Sequence, residues 1–203
     1  MLIKHFTHIL PRSSNPQLAL KQFLALVNQA LSGSDWTGAI DALESPEVLE
    51  TLADMMGVSQ FLWEDFLRMQ HENLFPVLID TAALDEVRTR DQLLASIAQL
   101  APGLPQETRV TRLNRFKDRE MFRIDLRHIT GRIGFEQFAS ELTTLAEVVV
   151  AGAFELAEGP LLRRFGRPML RDGAPSTWCV CALGKFGGAE LGFGSDVELV
   201  LIY

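Results

Sequence analysis

Asp196 and Glu198 are the residues of this chain whose type and spacing best suit chemistry. They stand two apart at the mouth of an apolar segment, Val197 to Tyr203, that reads as a strand. Successive strand side chains point to opposite faces, so the two carboxylates project together. Apolar surroundings disfavour ionised acids unless something positive pairs with them. A divalent cation, Mg²⁺ or Mn²⁺, answers that need, because it takes hard oxygen ligands from one or two carboxylates and the rest from water and phosphate. Asp196 and Glu198 are therefore the candidate metal ligands and catalytic residues. The competing reading makes Asp196 a turn residue and Glu198 a surface carboxylate on an edge strand.

A second set of residues lies just upstream. Cys179 to Leu183 is an apolar run that reads as a buried strand, and a glycine-broken turn follows, Gly184 to Gly188. Glycine takes positive φ and lets a ligand approach closely. The spacing places Gly187 and Gly188 before a short helical segment, whose first N–H groups would face an anion. Lys185 offers a cation to phosphate or is simply solvated. Ser195 offers a hydroxyl to phosphate or caps a turn. Glu190 reads as a structural residue of the short helix. Strand, glycine turn, short helix and a strand carrying D-x-E amount to a phosphate cradle facing a metal site, the front end of a nucleotidyltransferase site.

The elements that must carry this site are mostly helical. Asn15 caps a helix with Pro16 at its first position and an apolar stripe of Leu20, Phe23, Leu24, Val27 and Leu31. A short helix follows Asp35. Ser45-Pro46 opens another, with Leu49, Leu52, Ala53 and Met56 inward and Gly57 as its stop. Further helices are predicted over Gln60 to Gln70, Leu84 to Arg90 and Gln92 to Leu100, with a break at Pro76 to Asp80 and a linker from Ala101 to Pro105.

The longest helix is predicted from Thr108 to His128, with Leu113, Phe116, Glu120, Met121, Ile124 and His128 on one side. Arg115, Arg119, Arg123 and Arg127 recur every fourth residue as one ridge. That ridge is either a solvated face with acidic partners or a surface for an anion or partner. Phe135 to Ala157 is predicted as a helix ended by Gly159-Pro160, with Phe138, Leu142, Leu145, Val149, Ala153 and Leu156 inward. The sequence thus divides into a helical region, residues 1–167, and an incomplete catalytic piece, residues 168–203. Two strands are seldom stable alone, and the apolar pattern stops where a domain of this kind continues, so the sequence reads as a truncated product or a fragment.

Composition narrows the function classes. The chain has 203 residues, 47% hydrophobic and 22% charged, as ordinary globular proteins do. A formal net charge of −7 argues against a nucleic-acid-binding surface, which needs clustered Lys and Arg. No apolar run approaches a membrane span, and residues 1–16 lack the long apolar core of a signal peptide. Cys179 and Cys181, two apart on one strand, are poorly placed to pair with each other and too few for zinc. They read as small buried side chains in a reducing cytoplasm. The four histidines have no ligand spacing.

Two segments carry a family resemblance. CALGKFGGAELGFGSDVELVLIY, Cys181 to Tyr203, resembles the G-K-L-G-G-x-E-L-x-x-x-S-D-I-D-L-I segment of the glutamine synthetase adenylyltransferases, also called adenylyl-removing enzymes. LNRFKDREMFRIDLRHITG, Leu113 to Gly131, resembles the arginine-rich helix that precedes it in that family. The resemblance covers roughly Pro46 to Tyr203, and it departs from the family at Glu198, where the family has Asp.

What it implies is the N-terminal half of a bifunctional enzyme of nitrogen metabolism. The implied fold is a multi-helical region followed by the first part of an α/β nucleotidyltransferase domain of the DNA polymerase β type. The implied activity is metal-dependent removal of AMP from a tyrosine of glutamine synthetase, using phosphate and releasing ADP, while a C-terminal half adds AMP from ATP. The implied regulator is the PII signalling protein, with glutamine. A third carboxylate and the base pocket, expected on later strands, are not in this sequence, so the chain alone is expected to be inactive. Two alternatives stand beside this reading: a helical protein-interaction module with a degenerate, non-catalytic nucleotidyltransferase remnant, and a related protein uridylyltransferase.

Overall fold

A computed structural model describes residues 7–32, 46–58, 60, 63, 64, 84–99 and 103–202. After a 3-10 turn at Leu10–Arg12 come helices α1 (Pro16–Ser32), α2 (Pro46–Val58), α3 (Arg90–Ala98), α4 (Gln106–Ile129) and α5 (Phe135–Phe165). Strand β1 (Cys179–Ala182), the one-turn helix α6 (Gly184–Gly187) and strand β2 (Leu199–Ile202) complete the described elements. The protein is mostly helical, as its sequence leads one to expect. The helices expected after Asp35 and over 60–70, and the break at 76–80, lie largely or wholly outside the described residues.

The chain packs as two units, each built from two stretches. One comprises Met1–Glu86 and Phe122–Ile133, the other Val87–Met121 and Gly134–Tyr203. Helix α4 thus contributes its first part to the second unit and its end to the first. The boundary expected at residue 167 falls inside the second unit.

In the first unit Asn15 caps α1, its side-chain oxygen accepting from the Leu18 N–H at 3.1 Å. The buried face of α1 is Ala19, Phe23 and Leu26, whereas Leu20 and Leu24 are exposed. Phe23 is buried as expected, but Ala19 and Leu26 take the inward places expected of Leu20 and its neighbours. An apolar-rich helix offers two overlapping i, i+3, i+4 stripes, and packing, not spacing, chooses between them. The α2 stripe is as expected: Leu49, Leu52, Ala53 and Met56 are all fully buried. Gly57 does not stop this helix, which runs on to Val58. It is there for close approach, since a Cβ on it would meet the Ser13 Cβ at 3.0 Å. Phe122 and Leu126 of α4 join the same core.

In the second unit Thr89 opens α3 with a capping box to Gln92, so residues 84–89 lie outside the helix expected there. The buried stripe of α5 is Phe138, Leu142, Leu145, Val148, Gly152 and Leu156. Its second half sits one position earlier than Val149 and Ala153. Nor does α5 end at Gly159-Pro160. It continues through Pro160 to Phe165, where Gly166, at φ 79°, caps it. Proline has no N–H to give the carbonyl four residues back, here Leu156. The Gln106 side chain at the start of α4 donates to that carbonyl instead, at 3.3 Å.

The arginine ridge divides likewise. Arg115 and Arg119 are exposed, Arg119 lying 3.6 Å from Glu120. Arg123 and Arg127 are buried, and Arg123 donates to the Glu86 carbonyl at 2.9 Å. The ridge is therefore not one continuous charged surface, because α4 buries its second half.

Candidate active site

The candidate site lies wholly in the second unit, on an antiparallel ladder. Cys179 faces Ile202, Val180 faces Leu201, Cys181 faces Val200 and Ala182 faces Leu199. The pairing extends one step further, since the Leu183 N–H donates to the Glu198 carbonyl at 3.0 Å. That bond places Glu198 directly opposite the residue where the turn begins. The turn is α6, anchored by the buried Phe186. The loop after it is anchored by the buried Leu191 and by Phe193, whose ring lies 4.6 Å from that of the fully buried Phe138.

The glycine pair sits differently from its expected place. The sequence reading puts a helix after Gly187-Gly188, but α6 comes before that point and Gly188 is its C-cap. The Gly187 N–H donates to the Leu183 carbonyl at 2.9 Å and the Gly188 N–H to the Gly184 carbonyl at 3.0 Å. Both N–H groups are spent inside the turn. The reason for glycine is steric at 187, where a Cβ would meet the Ala182 carbonyl oxygen at 2.6 Å. Ala189 follows at φ 56°, a left-handed conformation uncommon for a residue with a side chain, and it turns the chain out of the helix.

Gly184 carries a role that motif reading missed. It sits at φ 54°, and a side chain there would collide with the Glu198 carboxylate oxygen. The absence of a Cβ lets the carboxylate lie against the turn. The signal was the glycine at the first turn position, four residues before Gly188, read only as a chain-breaker.

Asp196 and Glu198 are both exposed, and among the described residues neither has an ion-pair partner. Ser195 closes its own loop: its Oγ accepts from the Gly192 N–H at 2.9 Å and its N–H donates to the Gly192 carbonyl at 3.1 Å. Its hydroxyl proton stays available to an acceptor. Lys185 is exposed on α6. On the opposite face of the sheet, Val180, Ala182 and Leu199 border a cavity of about 510 Å³ with Phe154, Trp178 and Phe186.

The donor set suits a hard divalent cation. Two exposed carboxylates two residues apart offer oxygen ligands, and among the described residues no ion-pair partner neutralises them. They do not make a full ligand set, since no three His, Cys, Asp or Glu side chains among the described residues gather as a metal site.

Comparison with known proteins bears on these residues directly. The family model for glutamate-ammonia ligase adenylyltransferase matches residues 49–203, a span that holds both carboxylates and the whole turn. The chain belongs to that family. A bifunctional glutamine synthetase adenylyltransferase/adenylyl-removing enzyme from Mannheimia succiniciproducens is 30% identical over 90% of this chain and 19% of the relative. One from Pseudomonas aeruginosa is 30% identical over 93% of this chain and 19% of the relative. A third, from Pasteurella multocida, is 28% identical over 98% of this chain. This member of the adenylyltransferase family therefore spans about a fifth of the length of the curated relatives it matches. No solved structure matches it. No helix among the described residues is long and apolar enough to cross a membrane.

Proposed function

We propose that this chain forms part of a nucleotidyltransferase that removes AMP from a tyrosine of glutamine synthetase, with phosphate as acceptor and ADP as product. The observation that carries the reading is the packing of the Glu198 carboxylate against Gly184, within a span matched by the adenylyltransferase family. A turn that leaves room for a carboxylate, with Asp196 two residues before it, is an arrangement for presenting oxygen ligands beside a phosphate.

In this reading Asp196 and Glu198 would hold Mg²⁺ or Mn²⁺, which would supply positive charge to offset the charge building on the phosphate of the transferred AMP. The chain's own groups do the rest. The Leu183–Glu198 ladder bond sets where Glu198 leaves the strand. Gly184 and Gly187 keep the turn tight enough for substrate to approach. Lys185 offers its ammonium to phosphate, and Ser195 offers its hydroxyl proton while its oxygen holds the loop. The remaining ligand and the base pocket are supplied by other parts of a longer protein, whose second half adds AMP from ATP. Regulation by the PII signalling protein and a cytoplasmic setting belong to the same proposal.

Glu198, in place of the family Asp, favours a second reading: a helical interaction module whose nucleotidyltransferase remnant no longer turns over. One experiment separates the two. This chain replaces the matching segment of the full-length Pseudomonas aeruginosa relative, and phosphate-dependent ADP release from adenylylated glutamine synthetase is measured. Retained turnover supports the catalytic reading. A folded but inactive chimera supports the module.

A further inference from the structure

Cys179 and Cys181 take no part in the site above. They stand two apart on β1, so their side chains leave the strand on one face, opposite Val180 and Ala182 at the cavity. Both are free thiols, Cys179 exposed and Cys181 half-buried. Their sulfurs lie 4.0 Å apart in a thiol–thiol contact. Ladder bonds to Ile202 and Val200 hold the strand in this register.

That separation is far longer than a disulfide bond of about 2.05 Å. It is a span that two metal–thiolate bonds of about 2.3 Å each can bridge. Zinc asks for about four ligands, and among the described residues no third His, Cys, Asp or Glu joins the pair. Hard cations prefer oxygen. Soft cations select thiolate and are satisfied by few ligands, Cu(I) foremost.

We propose that Cys179 and Cys181 form a two-thiolate site for a soft monovalent cation of the Cu(I) class. Binding breaks two S–H bonds, forms two S–Cu bonds and releases two protons to solvent. No electron moves, because the metal arrives as Cu(I). The metal displaces both thiol protons, so the affinity rises with pH. The site is independent of nucleotidyl transfer and uses neither Asp196 nor Glu198.

The test is anaerobic competition between the reduced chain and a chromophoric Cu(I) chelator. One equivalent should bind, with a near-ultraviolet thiolate-to-metal band, and excess Mg²⁺ should not displace it. Cys179→Ser and Cys181→Ser should each weaken binding at least tenfold. In the wild type, one equivalent of Cu(I) should protect both thiols from alkylation. The proposal is overturned if either serine variant keeps wild-type affinity, if only one thiol is protected, or if Mg²⁺ displaces the ion.

Discussion

The Glu198 carboxylate occupies the space that a side chain at Gly184 would need. Turn and carboxylate are thus one steric unit, although fourteen positions of sequence separate them. Two constraints meet at Gly184, its left-handed backbone and the oxygen above it, and only glycine satisfies both.

Substitution in the turn should therefore be graded. Gly184→Ala should cost about 1–2 kcal/mol through its backbone conformation alone, and should also displace Glu198. Gly187→Ala should be comparably damaging, because its Cβ meets a backbone oxygen. Gly188→Ala should be milder, since its nearest contacts lie at 3.6 Å and its φ is −84°. Thermal denaturation of the three variants checks the order. Equal sensitivity at all three would mean that the close approaches do not control the turn.

Helix α5 depends on a donor outside itself. Gln106→Leu should leave the Leu156 carbonyl unsatisfied at Pro160 and lower stability by about 1 kcal/mol. Phe138→Ala should cost about 3–5 kcal/mol, because it empties a fully buried site and removes the partner of Phe193 in the loop before Ser195. Urea denaturation followed by circular dichroism reads both. If Gln106→Leu is neutral, the bond at 3.3 Å contributes nothing to the helix.

A pH effect belongs to α2. Partial burial, and then the charge of Glu50 one turn away, raise the Asp54 pKa above its ordinary value. The folded state therefore holds the Asp54 proton at a pH where the unfolded chain has lost it. Stability contributed by this group should fall as pH rises from about 4 through the raised Asp54 range. Asp54→Asn should remove that slope and stabilise the neutral-pH protein by a few tenths of a kcal/mol, about the worth of a like-charge pair at this spacing. An unchanged pH dependence of the melting temperature would contradict it.

The chain alone should bind Mg²⁺ or Mn²⁺ weakly, because two carboxylates supply too few charged oxygens for a tight site. Titration calorimetry should find no micromolar affinity. Tight binding would mean that a complete ligand set exists within these residues.

Much of this was legible in the sequence where local chemistry decides structure. The Asn15 cap, the α2 stripe and the presence of two strands around a glycine turn follow from turn residues and periodicity, although β1 is exposed to half-buried where a buried strand was expected. Other features depend on partners distant in sequence. Pro160 reads as a helix end until Gln106 is known to serve Leu156. The face of α1 is ambiguous until packing selects Ala19 over Leu20. Arg123 and Arg127 read as surface charges, yet α4 buries them. The position of Gly187-Gly188 at the end of α6, not ahead of a helix, follows from backbone bonding that spacing does not reveal.

The central claim is that Asp196 serves phosphoryl chemistry and is not a turn residue. The most direct measurement places Asp196→Asn, with Glu198→Asp beside it, in the chimera with the Pseudomonas aeruginosa relative and follows phosphate-dependent ADP release from adenylylated glutamine synthetase. Asp196→Asn keeps the shape but removes the negative oxygen, so turnover should fall by on the order of 10²–10³ with the melting temperature unchanged. Glu198→Asp, which restores the family residue, should retain or raise it. Near-parental turnover in Asp196→Asn would contradict the account.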